Sequence, residues 1–250
     1  MLNYPRLFFF FSFFILWVAA QVGAYFRSLR PLRDEEYEDF GVVQTATLTL
    51  LGLIIGFSFS MAVSRYDLRK TYEEAEANAI GTEYVRAGLL PPADTAEVEA
   101  QLREYTDLRI RFYRTRNERE LDQIDADTAQ LQAKMWLAVQ TPAKAQPTPV
   151  IALAVSGMND VLNSQGYTQA AWWNRIPDST WTLMIAIAIC CNVLVGYGAR
   201  SAKAKAGLLF VLPLVVSIAF LLIADIDSPR GGFIHVVPQN LVSLSQSFTK

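Results

Sequence analysis

The stretch LTLLGLIIGFSFSMAVSRYDLR, Leu48–Arg69, decides the fold class of this 250-residue chain. It carries no charged side chain before Arg65. A helix needs about twenty apolar residues, at roughly 1.5 Å each, to cross a hydrocarbon layer of about 30 Å. The stretch is therefore predicted to span a membrane. The polar residues that follow it predict the water interface and form a membrane-exit motif: Arg65, Tyr66, Asp67 and Arg69.

Small residues recur at every fourth position of this span: Gly52, Gly56, Ser60 and Ser64. Positions four apart lie on one face of a helix, and small residues let helix backbones approach closely in a membrane. We therefore expect the span to pack against other helices, with Gly52 and Gly56 as packing positions. Asn192, in a later apolar block, is expected either to hydrogen-bond between helices or to line a pathway.

The composition predicts more than one span. Hydrophobic residues make up 52% of the chain and charged residues only 18%, which is unusual for a soluble protein. The apolar residues form four blocks, at about 7–25, 42–64, 180–198 and 207–224. We predict an all-α membrane protein with four transmembrane helices in two hairpins (1–64 and 179–225), a helical extramembrane insert (65–178) and a C-terminal tail (226–250).

The first block has an alternative interpretation as a cleaved signal peptide. Arg6, an apolar core and the small residues around Ala19 and Gly23 are typical of such a segment. A mature chain beginning near Gln21 would lack the first span. Trp17 and Tyr25 favour a retained helix, because aromatic residues of this kind anchor spans at the membrane interface.

The insert is predicted to be helical throughout. The second span continues as a helix to about Gly88, and capping residues at 93–95 follow a Leu-Leu-Pro-Pro stop. Apolar stripes from Val98 to Phe112 and from Leu121 to Ala138 predict two amphipathic helices, or one that weakens near Asn117. The proline-rich segment 142–149 predicts a break, and a further helix is expected at about 150–164.

The motifs that many enzymes carry are missing from the sequence. There is no P-loop, dinucleotide fingerprint or zincin motif, and the one histidine, His235, lies in the tail. We therefore predict no enzyme, no resident metal and no cofactor. A net charge of −2 gives no reason to expect nucleic acid as a partner.

Charges in the short loops give a prediction of sidedness. The loop Arg200–Lys205 has three cations and no acid, and the first loop carries Arg27, Arg30 and Arg33. By the positive-inside rule both loops face the cytoplasm, which places the insert outside it. Arg65, Arg69 and Lys70 oppose this assignment. The expected location is a bacterial-type inner membrane.

Two runs of residues resemble a known family. Gly56–Asp67, GFSFSMAVSRYD, resembles the end of the second transmembrane helix of bestrophins, the pentameric anion channels. The longer run EANAIGTEY at 76–84, with RAGLLP at 86–91 and DIDSPRGG at 225–232, resembles the bacterial bestrophin-like domain family. That second resemblance covers nearly the whole chain, and its members have no established activity.

The bestrophin resemblance implies a homo-oligomeric pore lined by second helices, with apolar side chains forming a neck. The matching position is Phe57, with Leu53 one turn earlier and the hydroxyls of Ser58 and Ser60 suited to an anion. The pore-lining set is then Leu53, Gly56, Phe57, Ser60 and Ser64. The alternative is that Leu53 and Phe57 face lipid or neighbouring helices.

The resemblance has two further implications. Bestrophins place their insert in the cytoplasm, opposite to the charge-rule assignment. They also bind calcium after the fourth helix, where this chain has Asp225 and Asp227. Because Ca²⁺ takes six to eight oxygen ligands, two aspartates are weak candidates, and a helix stop and turn explains them more simply.

The sequence thus predicts a bestrophin-like multi-pass membrane protein that forms a homo-oligomeric passive anion channel. The alternative is a non-conducting scaffold or sensor, anchored in the bilayer, whose insert binds a protein partner. A scaffold would keep its permeability unchanged after Phe57→Ala and would lose function when the face from Leu102 to Phe112 is made polar.

Overall fold

The computed structural model describes residues 4–199 and 202–248, and these residues form helices joined by short connections. The first four helices are α1 (Pro5–Leu29), α2 (Glu36–Arg86), α3 (Pro92–Arg114) and α4 (Glu118–Ala145), with a 3₁₀ turn at Ala87–Leu89. The others are α5 (Pro149–Trp173), α6 (Asp178–Gly198), α7 (Ala202–Asp227) and α8 (Gln239–Ser247). Arg200 and Ser201 of the basic loop lie outside the described residues.

Four helical segments are long and apolar enough to span a membrane. They lie in Pro5–Leu29, Glu36–Leu89, Pro149–Gly198 and Leu209–Asp227. The prediction of an all-α membrane protein with four spanning helices is confirmed. The helix that holds the second span is 51 residues long, because no proline or helix-stopping turn interrupts it between Glu36 and Arg86.

The chain forms two compact units. The membrane unit comprises Met1–Arg65 and Arg175–His235, and the insert unit comprises Tyr66–Asn174 and Val236–Lys250. The end of the predicted tail, including α8, therefore belongs to the insert unit.

In the membrane unit, α1 and α6 touch backbone to backbone. A Cβ added at Gly23 would overlap the carbonyl of Val193, and one added at Gly196 would lie 2.9 Å from the backbone nitrogen of Ala24. This close approach is the role that small residues play between membrane helices. An aromatic cluster joins α7 to the same pair, with ring centroids 5.3 Å apart for Phe8 and Trp181.

The insert unit has an apolar core built from α3, α4 and α5 with the second half of α2. Leu102 and Phe112 are buried in it. The apolar stripe from Leu102 to Phe112 is therefore a packing face of the insert, and polar substitution there would disrupt the core itself.

Helix boundaries in the insert differ in part from the sequence expectation. Two helices form on either side of Asn117, whose Oδ1 accepts a 3.0 Å hydrogen bond from the Arg119 amide and caps α4. Pro142 lies in the last turns of α4, so the break is confined to residues 146–148. The following helix continues to Trp173, well beyond the expected end.

The expected capping residues at 93–95 lie inside the first turn of α3, which begins at Pro92. Proline suits the first helical position because its missing N–H would have had no partner there. Thr95 Oγ1 instead lies 2.9 Å from the Ala87 carbonyl and 3.1 Å from the Leu90 carbonyl, where it can donate to either. It ties α3 back to the 3₁₀ turn.

Candidate functional site

The span on α2 is the one that the chain itself covers least. In its most apolar window 17% of the residues are buried, against 39%, 33% and 50% in the other three spans. Lipid or another subunit must cover the remainder, because apolar side chains of this density do not remain in water.

The uncovered face of α2 holds every residue of the predicted pore-lining set. Leu53 is 52% exposed and Phe57 is 65% exposed. Gly56, Ser60 and Ser64 are exposed as well. The space around Gly52 and Gly56 is open, with no atom of the described residues within 4 Å of an added Cβ beyond the helix itself. The structure thus places these residues together on one stripe.

The opposite face of α2 packs inside the membrane unit. Leu51, Ser58 and Ala62 are buried, and their spacing of seven and four residues places them on one helix face. The thiol of Cys191 on α6 donates to the Thr47 carbonyl at 3.4 Å. Ser58 was expected to offer its hydroxyl to an anion, and its burial excludes it from the exposed face. Ser60 is the hydroxyl that stays there.

The four residues of the membrane-exit motif lie in environments that differ in burial. Arg65 is half-buried, with its guanidinium 3.6 Å from the sulfur of Met61. Tyr66 packs against the insert core, and Asp67 is exposed. Arg69 is buried and its Nε donates to the Ala171 carbonyl at 3.4 Å. The motif therefore combines surface charges with a structural arginine.

Sequence reasoning missed a row of buried charges further along α2. The Glu76 carboxylate accepts from Arg109 Nε, from the Tyr113 hydroxyl at 3.3 Å and from Thr168 Oγ1 at 3.2 Å. Burial alone would lower the pKa of Arg109, but the charge and hydrogen bond of Glu76, together with Tyr105 and Tyr113, raise it overall. This ion pair joins α2, α3 and α5.

Glu73, on the same face, holds the last helix. Its carboxylate accepts hydrogen bonds from the Leu241 amide at 3.0 Å and from Asn240 Nδ2 at 2.6 Å, at the start of α8. A carboxylate is favoured at a helix N-terminus because the backbone N–H groups there lack partners. The spacing of Arg69, Glu73, Glu76 and Glu83 by three, four and seven residues is a helical-face pattern and was the available signal.

Asn192, the predicted packing residue of the third span, is fully buried. Its Nδ2 donates to the Ala188 carbonyl at 2.8 Å, within α6 itself. Its Oδ1 has no hydrogen-bond partner among the described residues. The observed bond of Nδ2 lies within α6 and does not bridge two helices.

Asp225 and Asp227 both accept hydrogen bonds from backbone amides. Asp225 accepts from the amides of Phe233 and Ile234 at 2.8–3.0 Å, and Asp227 accepts from the Ile176 amide at 3.1 Å. The Asp225 bonds fold the segment after α7 back onto its helix, and the Asp227 bond ties the connection between α5 and α6 to the end of α7. Among residues 4–199 and 202–248, no group of three or more His, Cys, Asp or Glu is arranged to hold a metal. Through their hydrogen bonds to backbone amides, both carboxylates have a structural role.

A polytopic helical protein with one largely uncovered span belongs to the class of membrane proteins that complete their packing with lipid or other chains. The Bestrophin-like domain profile matches residues 12–241. The chain therefore belongs to the bestrophin-like family.

Solved structures agree on the fold. A variant of the bacterial bestrophin homologue from Klebsiella pneumoniae has a TM-score of 0.68 at 11% identity, over 96% of this chain and 97% of that one. Another structure of that homologue gives 0.64 at 10% identity, over 96% and 98%. At this identity the likeness establishes the fold. No match was found among curated proteins.

Proposed function

We propose that this protein forms a homo-oligomeric, passive anion-conducting pore in a bacterial-type inner membrane, with the exposed face of α2 lining the axis. The observation that carries the proposal is the exposed stripe of Leu53, Phe57 and the small residues between and after them. The span that the family resemblance assigns to the pore is also the span that the chain leaves least buried.

The chemistry of the stripe suits a narrow anion pathway. Leu53 and Phe57 lie four residues apart, so that several copies around an axis would make two stacked apolar rings. An apolar constriction can close by losing its water, and a hydroxyl such as that of Ser60 can donate to an anion beyond it. Gly52 and Gly56 leave room for a neighbouring helix to approach.

The test is chloride efflux from liposomes that hold the purified protein. Phe57→Ala widens the proposed neck, and we expect efflux several-fold faster than from the native protein. Phe14→Ala is the matched control, because Phe14 is a phenylalanine with 61% exposure on a different span, α1. The pore would be refuted if the native protein and both variants, each shown to be folded and oligomeric, gave no more efflux than empty liposomes.

Assembly is tested separately by crosslinking. In a chain with Cys190 and Cys191 replaced, Ser60→Cys should crosslink to a second copy with a short thiol-reactive linker. Val215→Cys, exposed on α7, is the control that should not. Exclusively monomeric Ser60→Cys protein in membranes would contradict an axial position for this face.

A scaffold or sensor is the second candidate function, and a groove in the insert favours it. Trp136, Ile151 and Val155 line an apolar groove of about 760 Å³ between α4 and α5. Ala152, at the exposed rim of the same groove, allows a test that spares the core. An unchanged permeability after Phe57→Ala, together with loss of cellular function after Ala152→Asp in folded protein, would support this role over the pore.

A further inference from the structure

Glu83 is a carboxylate buried at the crossing of α2 and α5. The residue has 0% exposure, and neither Oε1 nor Oε2 has a hydrogen-bond partner among the described residues. Gly157 of α5 provides its space, since an added Cβ would overlap Glu83 Oε2 and lie 2.7 Å from Arg86 Nη1. An ionised carboxylate in such a position loses its hydration without any compensating hydrogen bond.

The charges that face Glu83 do not neutralise it fully. Arg86, one turn along α2, is the nearby cation. Its Nη1 lies 3.9 Å from Asp160 Oδ2, so that α5 brings a second carboxylate to the same guanidinium. Two carboxylates thus share one cation, and the more deeply buried of the two has the stronger reason to hold a proton.

We propose that Glu83 is a proton-binding site that is occupied in the folded protein at neutral pH and is emptied under mildly alkaline conditions, which loosens the packing of α2 against α5 at Gly157. The site lies in the insert unit and is independent of the proposed pore. The ligand is the proton itself, and the insert unit becomes sensitive to alkaline pH.

The direction of the pKa agrees with this geometry. Burial raises the pKa of Glu83 from 4.5 to about 8; Arg86 lowers it and Asp160 adds to the rise. Because the folded form binds the proton more tightly than the unfolded form, the stabilisation is complete below pH 4.5. It is lost progressively as the pH rises through about 8, and then levels off. Within that window the unfolding equilibrium changes by up to roughly tenfold per pH unit.

The experiment is thermal unfolding of the full-length protein in detergent from pH 5 to 9.5. Glu83→Gln keeps the shape of the side chain and removes the titration. We expect the native protein to lose stability relative to Glu83→Gln as the pH rises from 5, with the difference levelling off above about pH 8. Glu74→Gln, an exposed position on the same helix, should follow the native protein at every pH.

A stability difference between the native protein and Glu83→Gln that does not vary between pH 5 and 8 overturns the proposal. If Glu83→Gln does not fold, infrared difference spectra of the native protein between pH 6 and 9.5 decide. The loss of a protonated-carboxyl band with a midpoint near 8 supports the site, and the absence of such a band refutes it.

Discussion

The buried ion pair between Glu76 and Arg109 should dominate the stability of the insert, and a double-mutant cycle can measure it. Both side chains are fully buried. Arg109→Met removes the cation and leaves the Glu76 carboxylate with only the Tyr113 and Thr168 hydroxyls, while Glu76→Gln leaves the buried guanidinium without a counter-charge. Each single change leaves an uncompensated buried charge.

Breaking a buried pair from one side costs about 3–5 kcal/mol, whereas replacing both partners can be nearly neutral. In the double variant, the amide oxygen introduced by Glu76→Gln can still accept from the Tyr113 or Thr168 hydroxyl. We therefore expect each single variant to lose about 3 kcal/mol or more, and the double variant to lose at least about 3 kcal/mol less than the sum.

The assay is reversible unfolding in mixed micelles, followed by far-ultraviolet circular dichroism, for the native protein and the three variants. Additive effects within about 0.5 kcal/mol would refute the reasoning, because independent sites behave in that way. A stable Arg109→Met variant beside an unstable Glu76→Gln variant would also contradict the reasoning, because each change leaves one buried charge without its partner.

Three further outcomes are expected. Gly196→Ala should separate α1 from α6 and lower the midpoint of thermal unfolding by several degrees, whereas Gly41→Ala, in open space, should not; equal midpoints would refute the contact. Asp225→Ala should speed amide exchange at Phe233 by freeing its N–H, and unchanged protection there would contradict the observed bond. A reporter joined at Pro147 tests the predicted sidedness of the insert: active alkaline phosphatase places it outside the cytoplasm, and a fluorescent cytoplasmic reporter refutes that prediction.

The spans could be predicted from the sequence because membrane crossing depends on length and hydrophobicity, which are local properties. The stripe from Gly52 to Ser64 was predictable for the same reason, since spacing by four needs no knowledge of neighbours. What covers each face is not local. Ser58 and Ser60 are two residues apart and chemically identical, and only the packing of other helices against α2 decides that the first is buried.

The buried charges were hidden for a related reason. Glu76 and Arg109 are 33 residues apart, and Thr168 lies a further 59 residues along the chain, so that no short motif contains them. A glutamate-rich helix also has the composition of a solvated one. The difference lies in the regular spacing of Arg69, Glu73, Glu76 and Glu83, which becomes informative once a second helix is known to cover that face.

The position of α8 has a consequence for how the protein is made. Leu241 is fully buried in the insert core, and Glu73 binds the start of its helix. The ribosome produces these residues after both membrane hairpins, although domains otherwise fold from the N-terminus as they emerge. Folding of the insert therefore cannot be completed until the last transmembrane helix has been synthesised. A chain that stops short of α8 leaves this core open, so that the insert cannot be completed before the second membrane hairpin has been made.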